Sequence, residues 1–346
     1  MRKEFRNNGA DDSEDVNANA LPTNDFTAAS SPSTQSAIAS VTEEEIDKAQ
    51  TQLEHDHLAG GKPISRLKLY ARRFMRNKMA VVGAVVFLLL VVFATVGPLT
   101  AKYAYDFSDF TALGVQPNSE HWFGTSASGN DLYAMVIQGL RRSLVIAVIV
   151  SVATTALSAL IGTTAALLGG RPEKAILGVI HFLLVVPTFL ILALLVSGSG
   201  GDWKILIVVL IAFGWMFPAR VIWSMTISVR EREYVKAARY MGVSNARIVV
   251  RHLIPNIGSL LVINLTLGVV SAVMSETGLS FLGLGVKLPD VSLGTLLSSG
   301  ASSVQVSPWE FYFPAAVLTL LTVSMAFIAD GLRDALDPNS AAAGKA

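Results

Sequence analysis

Five stretches of this chain run for 19 to 25 residues without an Asp, Glu, Lys or Arg: 79–99, 144–168, 176–196, 257–275 and 311–329. A helix that crosses a bilayer needs about 20 predominantly apolar residues, because inside lipid every backbone amide must find its partner within the segment. A sixth stretch, 205–224, has the same character and carries one charge, Arg220, near one end. The pattern predicts an all-α integral membrane protein with six transmembrane helices and both termini on one side. Only 15% of residues are charged, against 52% hydrophobic, which excludes an ordinary soluble fold.

Basic residues set the orientation. With the N-terminus inside, the cytoplasmic pieces hold seven Lys or Arg in 62–78, two in 171–174, seven in 220–251 and two near the C-terminus. The outer pieces hold five: Lys102, Arg141, Arg142, Lys204 and Lys287. Both termini are therefore expected in the cytoplasm. Arg141 and Arg142 directly precede the second stretch and are expected to snorkel to the outer headgroups.

The first 60 residues differ in kind. They hold 12 of the 26 acidic residues, amid Asn, Ser, Thr and Ala. Such a segment buries too little apolar surface to offset the entropy of ordering, and a disordered acidic cytoplasmic tail is expected at 1–60. A marginal helix starting at Thr42 is the one element expected there, and His55 and His57 read as solvated linker residues. No basic start, apolar middle and cleavage site mark a signal peptide, so the tail is expected to stay attached. Next, 62–78 interleaves Leu67, Leu69, Tyr70, Phe74 and Met75 with basic residues. That is the pattern of a basic amphipathic helix lying on membrane lipid, or of a positive stop that orients the first span.

Between the fourth and fifth stretches lies "YVKAARYMGVSNARIVVRHLIPN", Tyr234 to Asn256, with Lys236, Arg239, Arg247 and Arg251. Each such charge would cost roughly 2.5–3.5 kcal/mol at the centre of a bilayer, so the segment belongs in water or against protein. Tyr234, Ala237, Ala238 and Met241 recur at helical spacing and define one small-residue face, with Lys236, Arg239 and Tyr240 off it. Gly242 suits the left-handed residue that ends a helix, Ser244 or Asn245 can cap a second one running to His252, and Pro255 suits the first turn of the next span. A partner surface could dock on the small face, or the loop could pack on its own helix ends. Both satisfy the pattern.

These residues resemble the EAA loop of bacterial ABC-transporter permeases, with Ala237, Ala238, Gly242 and Pro255 on the pattern and Lys236 at its acidic position. "HWFGTSASGNDLYAMVIQGLRRSL" (His121 to Leu144), "SETGLSFLGLGV" (Ser275 to Val286) and "IADGLRDALDP" (Ile328 to Pro338) resemble the C-type permease of oligopeptide/dipeptide and nickel importers, although Ser126 and Asn130 stand where that branch more often has Asp and Arg. The likeness runs from about Arg66 to Pro338. It implies a six-span permease domain over 79–335 of the type I importer fold, with a cytoplasmic coupling loop at 230–256 and a cytoplasmic tail at 336–346. Coupling to an ATPase would fall on Tyr234, Lys236, Ala237, Ala238, Tyr240, Met241, Gly242, Val243 and Ser244.

The chain carries no Gly-x-x-x-x-Gly-Lys-Ser/Thr loop, no catalytic motif and no clustered metal ligands, and is read as non-catalytic. The resemblance implies the missing parts: a homologous B-type permease, two ATPase subunits that bind ATP and Mg, and an extracytoplasmic peptide-binding protein, in a bacterial cytoplasmic membrane and with no nucleic acid. Peptide is the implied cargo, with nickel or another small solute as the alternative. A stand-alone secondary transporter fits less well, because the uncharged spans supply few ion-coupling groups. Candidate pathway or gate residues are Glu276, expected near the outer interface, Phe281 and Arg220. A structural acid at Glu276 and a snorkelling Arg220 are the plainer readings. His181 is expected to be a packed residue and Asn264 to bond across helices.

Overall fold

A computed structural model describes residues 66–198, 200–287 and 289–336. The acidic tail, the helix at Thr42, His55, His57 and the last ten residues lie outside the described residues. Those described are mostly helical, with an irregular segment at 101–131 and two isolated β-bridges, Ser108 to Asn130 and Thr125 to Asp131. The basic stretch forms α1 (Arg66–Arg76). Asn77 breaks the chain and caps α2 (Lys78–Thr100), its Oδ1 accepting from the Ala80 amide at 3.1 Å and its Nδ2 donating to Asp334 at 2.9 Å. The latter bond ties the start of the first span to the end of the last.

The centre of the fold is α3 (Leu132–Leu168), 37 residues long. At 1.5 Å per residue it extends about 55 Å, well beyond a hydrocarbon core of about 30 Å. It begins 12 residues before the uncharged stretch because Asp131 supplies an N-cap, Oδ1 accepting from the amides of Tyr133 at 2.9 Å and Ala134 at 3.4 Å. Along it Ala147, Ser151, Thr154, Ser158 and Gly162 are buried, while Val148, Ile149, Val152 and Leu160 are exposed. Lipid is as apolar as leucine, so helices associate here through close packing of small side chains, with large ones left outward. α3 packs mainly on the fourth and fifth spans.

The third crossing departs from the straight helix expected over 176–196. It is a pair, α4 (Gly170–Val185) and α5 (Thr188–Ser197), bent by 73°. Pro187 forces the bend, since it disfavours helical torsions in the residue before it, and Val186 sits at φ −72°, ψ 133°. Among the described residues, five helical stretches are long and apolar enough to cross a membrane, and six if the bent pair is one span. The fourth is also interrupted, as α6 (Trp203–Gly214) and α7 (Met216–Arg230). There the Ser158 hydroxyl donates to the Trp215 carbonyl at 2.8 Å, satisfying an acceptor near the break.

After α7 come α8 (Glu233–Tyr240), α9 (Asn245–Ile248), a π-helical turn (Val249–Leu253) and α10 (Ile254–Asn256). The fifth span is α11 (Gly258–Phe281). Then α12 (Leu293–Ser303), capped by a Ser292/Thr295 box, leads to the last span, α13 (Trp309–Leu336).

Candidate coupling site and membrane cavity

α8 ends as its sequence predicts. Gly242 takes φ +75°, its amide donates to the Arg239 carbonyl at 3.1 Å, and the Val243 amide donates to the Ala238 carbonyl at 3.1 Å. This is the Schellman arrangement, and it needs a residue that tolerates positive φ. Ser244 occupies the cap position of α9, but its side chain makes no capping bond. Pro255 falls in the first turn of α10, just before the fifth span.

The small-residue face is not as expected. Ala238, placed with Tyr234, Ala237 and Met241 on a docking face, turns inward. It and Val235 are buried in a cluster with Leu167 of α3, Ile222 and Val229 of α7, and Ile248, Val249 and Leu253 of the following turns. Val235 draws the helix over, because burying its branched side chain in this apolar cluster outweighs exposing Ala237. Tyr240 (90% exposed), Met241 (76%), Ala237 and Lys236 face outward. Tyr234, half exposed, accepts a hydrogen bond from the Asn256 amide group and tilts over His252. One face of the loop packs on its own helix ends and the other is exposed.

Two arginines fix the helix to the second span. Arg239 donates to the Leu167 carbonyl, and Arg230 to the Ala166 carbonyl at 2.7 Å. Both acceptors are orphan carbonyls at the C-terminus of α3, where cations also oppose the helix dipole. Spacing had assigned Arg239 only to the polar side of α8, and Arg230 had no role. Contacts 64 and 72 residues apart leave no local signal in the sequence. Lys236 pairs with Glu231 at 3.1 Å, as does Arg230, and the hydrogen bond from Lys236 followed by that from Arg230 holds the Glu231 carboxyl below the usual carboxylate range.

The pathway candidates do not come together. Glu276 is fully buried within the protein, accepting from Ser280 at 2.6 Å and Ser143 at 3.3 Å, with the Leu293 amide donating to Ser143 at 3.2 Å. It is a bolt between α3, α11 and the start of α12. Arg220 is exposed on α7 and Phe281 is about half exposed at the end of α11. His181 lies on an exposed face of α4. Arg142 does not reach for headgroups: it pairs with Asp290 and lies 4.2 Å over the Trp203 ring.

A cavity of about 380 Å³ does open between α3, α5, α6, α7 and α11, lined by Thr154, Thr155, Thr188, Phe217, Asn264 and Ser271 among others. Asn264 Nδ2 is buried there without a hydrogen-bond partner, contrary to the cross-helix bond expected of it. A lone amide in the middle of an uncharged span was the signal for this cavity.

These features define a multi-pass membrane protein whose short helix α8 packs one face on its span ends and exposes the other. Residues 158–341 match the family described as binding-protein-dependent transport system inner membrane component, and 65–117 match the N-terminal TM domain of oligopeptide transport permease C. Proteins named oligopeptide transport system permease protein OppC are similar over most of their length. The one from Mycobacterium tuberculosis is 45% identical over 278 residues, covering 80% of this chain and 96% of the relative. Those from Escherichia coli and Bacillus subtilis are 37% identical (77% and 89% covered) and 31% identical (80% and 91% covered). The chain belongs to this family of binding-protein-dependent transport permeases, in its C-type branch. It is a permease subunit and not an enzyme.

Proposed function

We propose that the chain is one of two membrane subunits of an ATP-driven importer of oligopeptides in a bacterial cytoplasmic membrane, with both termini in the cytoplasm. The observation that carries this reading is α8: a short helix with an outward face of Tyr240, Met241 and Ala237 whose inward face and arginines are anchored to the second and fourth spans. A partner ATPase that binds ATP and Mg docks on the outward face. Its closure pushes α8 as a rigid lever, and α3, α7 and α11 move together, opening the cavity around Asn264 to one side and then the other. A homologous B-type permease completes the pathway, and an extracytoplasmic binding protein delivers the peptide. The names of the relatives support peptide as cargo.

The test is reconstitution of the chain with these partners in proteoliposomes. Uptake of a labelled peptide that requires ATP and the binding protein is the expected result. Peptide uptake by the chain alone, without ATP, overturns the reading.

A further inference from the structure

On the outer side a second, larger cavity of about 750 Å³ lies between the turn at 126–130, the end of α11, α12 and the start of α13. Its size is that of a ligand site. Glu310, in the first turn of α13, lines it and is only 6% exposed. Ser303, Ser307 and the Ala127 amide stand beside its carboxyl, yet Oε1 is left without a hydrogen-bond partner. A buried carboxylate oxygen with no donor is costly, and a ligand that brings a donor removes the cost.

The rest of the wall has the same chemistry. Ser299 and Ser302 of α12 donate to the carbonyls one turn back, Thr295 at 3.0 Å and Ser298 at 3.3 Å, and Ser298 donates to Phe281 at 3.0 Å. With their hydrogens turned to these carbonyls, the hydroxyl oxygens are available to accept from a ligand. Asp290 is met by Arg142, while Lys287, also on the lining, has an exposed side chain whose stem lies against Gly201. Gly300 lets α12 approach this closely, since a Cβ there would stand 2.4 Å from the Glu310 carbonyl oxygen. Among the described residues no group of three or more His, Cys, Asp or Glu could hold a metal ion. Hydroxyl oxygens along α12 and one buried carboxylate, with Lys287 the one ammonium on the lining, suit a cation rich in N–H donors.

We propose that this outer cavity receives a primary ammonium group, that of a peptide's amino terminus, with Glu310 as its counter-charge and the α12 hydroxyls as acceptors. The choice of a peptide rests on the importer reading above; the ammonium chemistry does not. The site is an entry station, met before the cavity around Asn264.

The chain has no cysteine, so Ser299→Cys places a single thiol on the wall. With this full-length variant in lipid nanodiscs, labelling by a thiol reagent is timed with trialanine, N-acetylated trialanine or methylammonium present. The expected result is that trialanine and methylammonium slow labelling and the acetylated peptide, at equal concentration, does not. Adding Glu310→Gln should weaken trialanine protection about tenfold, the loss of one hydrogen bond to a charged group, and Glu310→Asp should retain most of it. No protection by trialanine, equal protection by both peptides, or undiminished protection in Glu310→Gln each overturns the proposal. The comparison of the two peptides needs no change at Glu310 and stands even if that variant fails to fold. Peptide uptake by the reconstituted complex is scored separately: uptake without protection sinks only the entry station, and protection without uptake sinks only the importer reading.

Discussion

The guanidinium of Arg239 donates to the carbonyl of Leu167, joining the short helix α8 to the last turn of the second span, 72 residues earlier in the chain. The helix is therefore held by three spans. It follows its own neighbours, α7 and α11, through the backbone, and α3 through this bond, the Arg230 bond to Ala166 and the apolar cluster beneath.

Arg239→Ala should leave membrane insertion intact and lower transport severalfold while ATP hydrolysis by the assembled complex continues. One charged hydrogen bond at a partly exposed site contributes about 1 kcal/mol, enough to loosen the lever without unfolding it. Arg239→Lys should recover part of the loss, because it keeps the charge at the helix terminus. Parallel loss of hydrolysis and transport would place the defect elsewhere.

Ala237 and Ala238 separate two roles. Ala237→Trp adds bulk to an exposed position and should block assembly with the ATPase while the chain's own melting temperature stays unchanged. Ala238→Trp forces bulk into a packed cluster, a change that costs typically 1–3 kcal/mol or more, and should lower the melting temperature of the isolated chain. Thermal unfolding in detergent, with co-purification of the ATPase, distinguishes them.

At Gly242 a Cβ would meet nothing within 4 Å, so the effect of Gly242→Ala comes from backbone torsion alone. A non-glycine residue at φ +75° costs about 1–2 kcal/mol. Gly242→Asn should be milder, because Asn tolerates the left-handed region, and transport should rank glycine first, then Asn, Ala and Val. A flat series would mean that the turn carries no strain-sensitive role.

Glu276→Ala removes the shared acceptor of Ser143 and Ser280 inside the bundle and should destabilise the chain by about 1–3 kcal/mol. Glu276→Gln keeps an acceptor and should lose less. Neither should change which peptides are taken up, since the carboxylate faces no cavity around Asn264. A shift in peptide preference at unchanged stability would make Glu276 a pathway residue.

Much of this architecture is legible in the sequence, because lipid imposes a length and a charge rule that leave little choice. The run 79–99 becomes α2 almost residue for residue. Pro187 announces the bend in the third crossing, yet counting uncharged residues passes over it. Gly242 ends α8 as its torsional freedom predicts. Ala238 shows where the reading stops: helical spacing says which residues share a face, but Val235 and the anchor at Leu167 decide which face turns inward. Glu276 and Arg142 gain Ser143 and Asp290 as partners only when the chain folds back on itself. Such contacts, 133 and 148 residues apart, leave no local signal.

The central claim is that the outward face of α8 touches an ATPase. A photoreactive phenylalanine analogue at Tyr240, which is 90% exposed, or at Val235, which is 1% exposed, tests it in the native host. The account predicts an ATPase-subunit adduct from position 240 and none from position 235. No ATPase adduct from 240, or equal adducts from both positions, would contradict it.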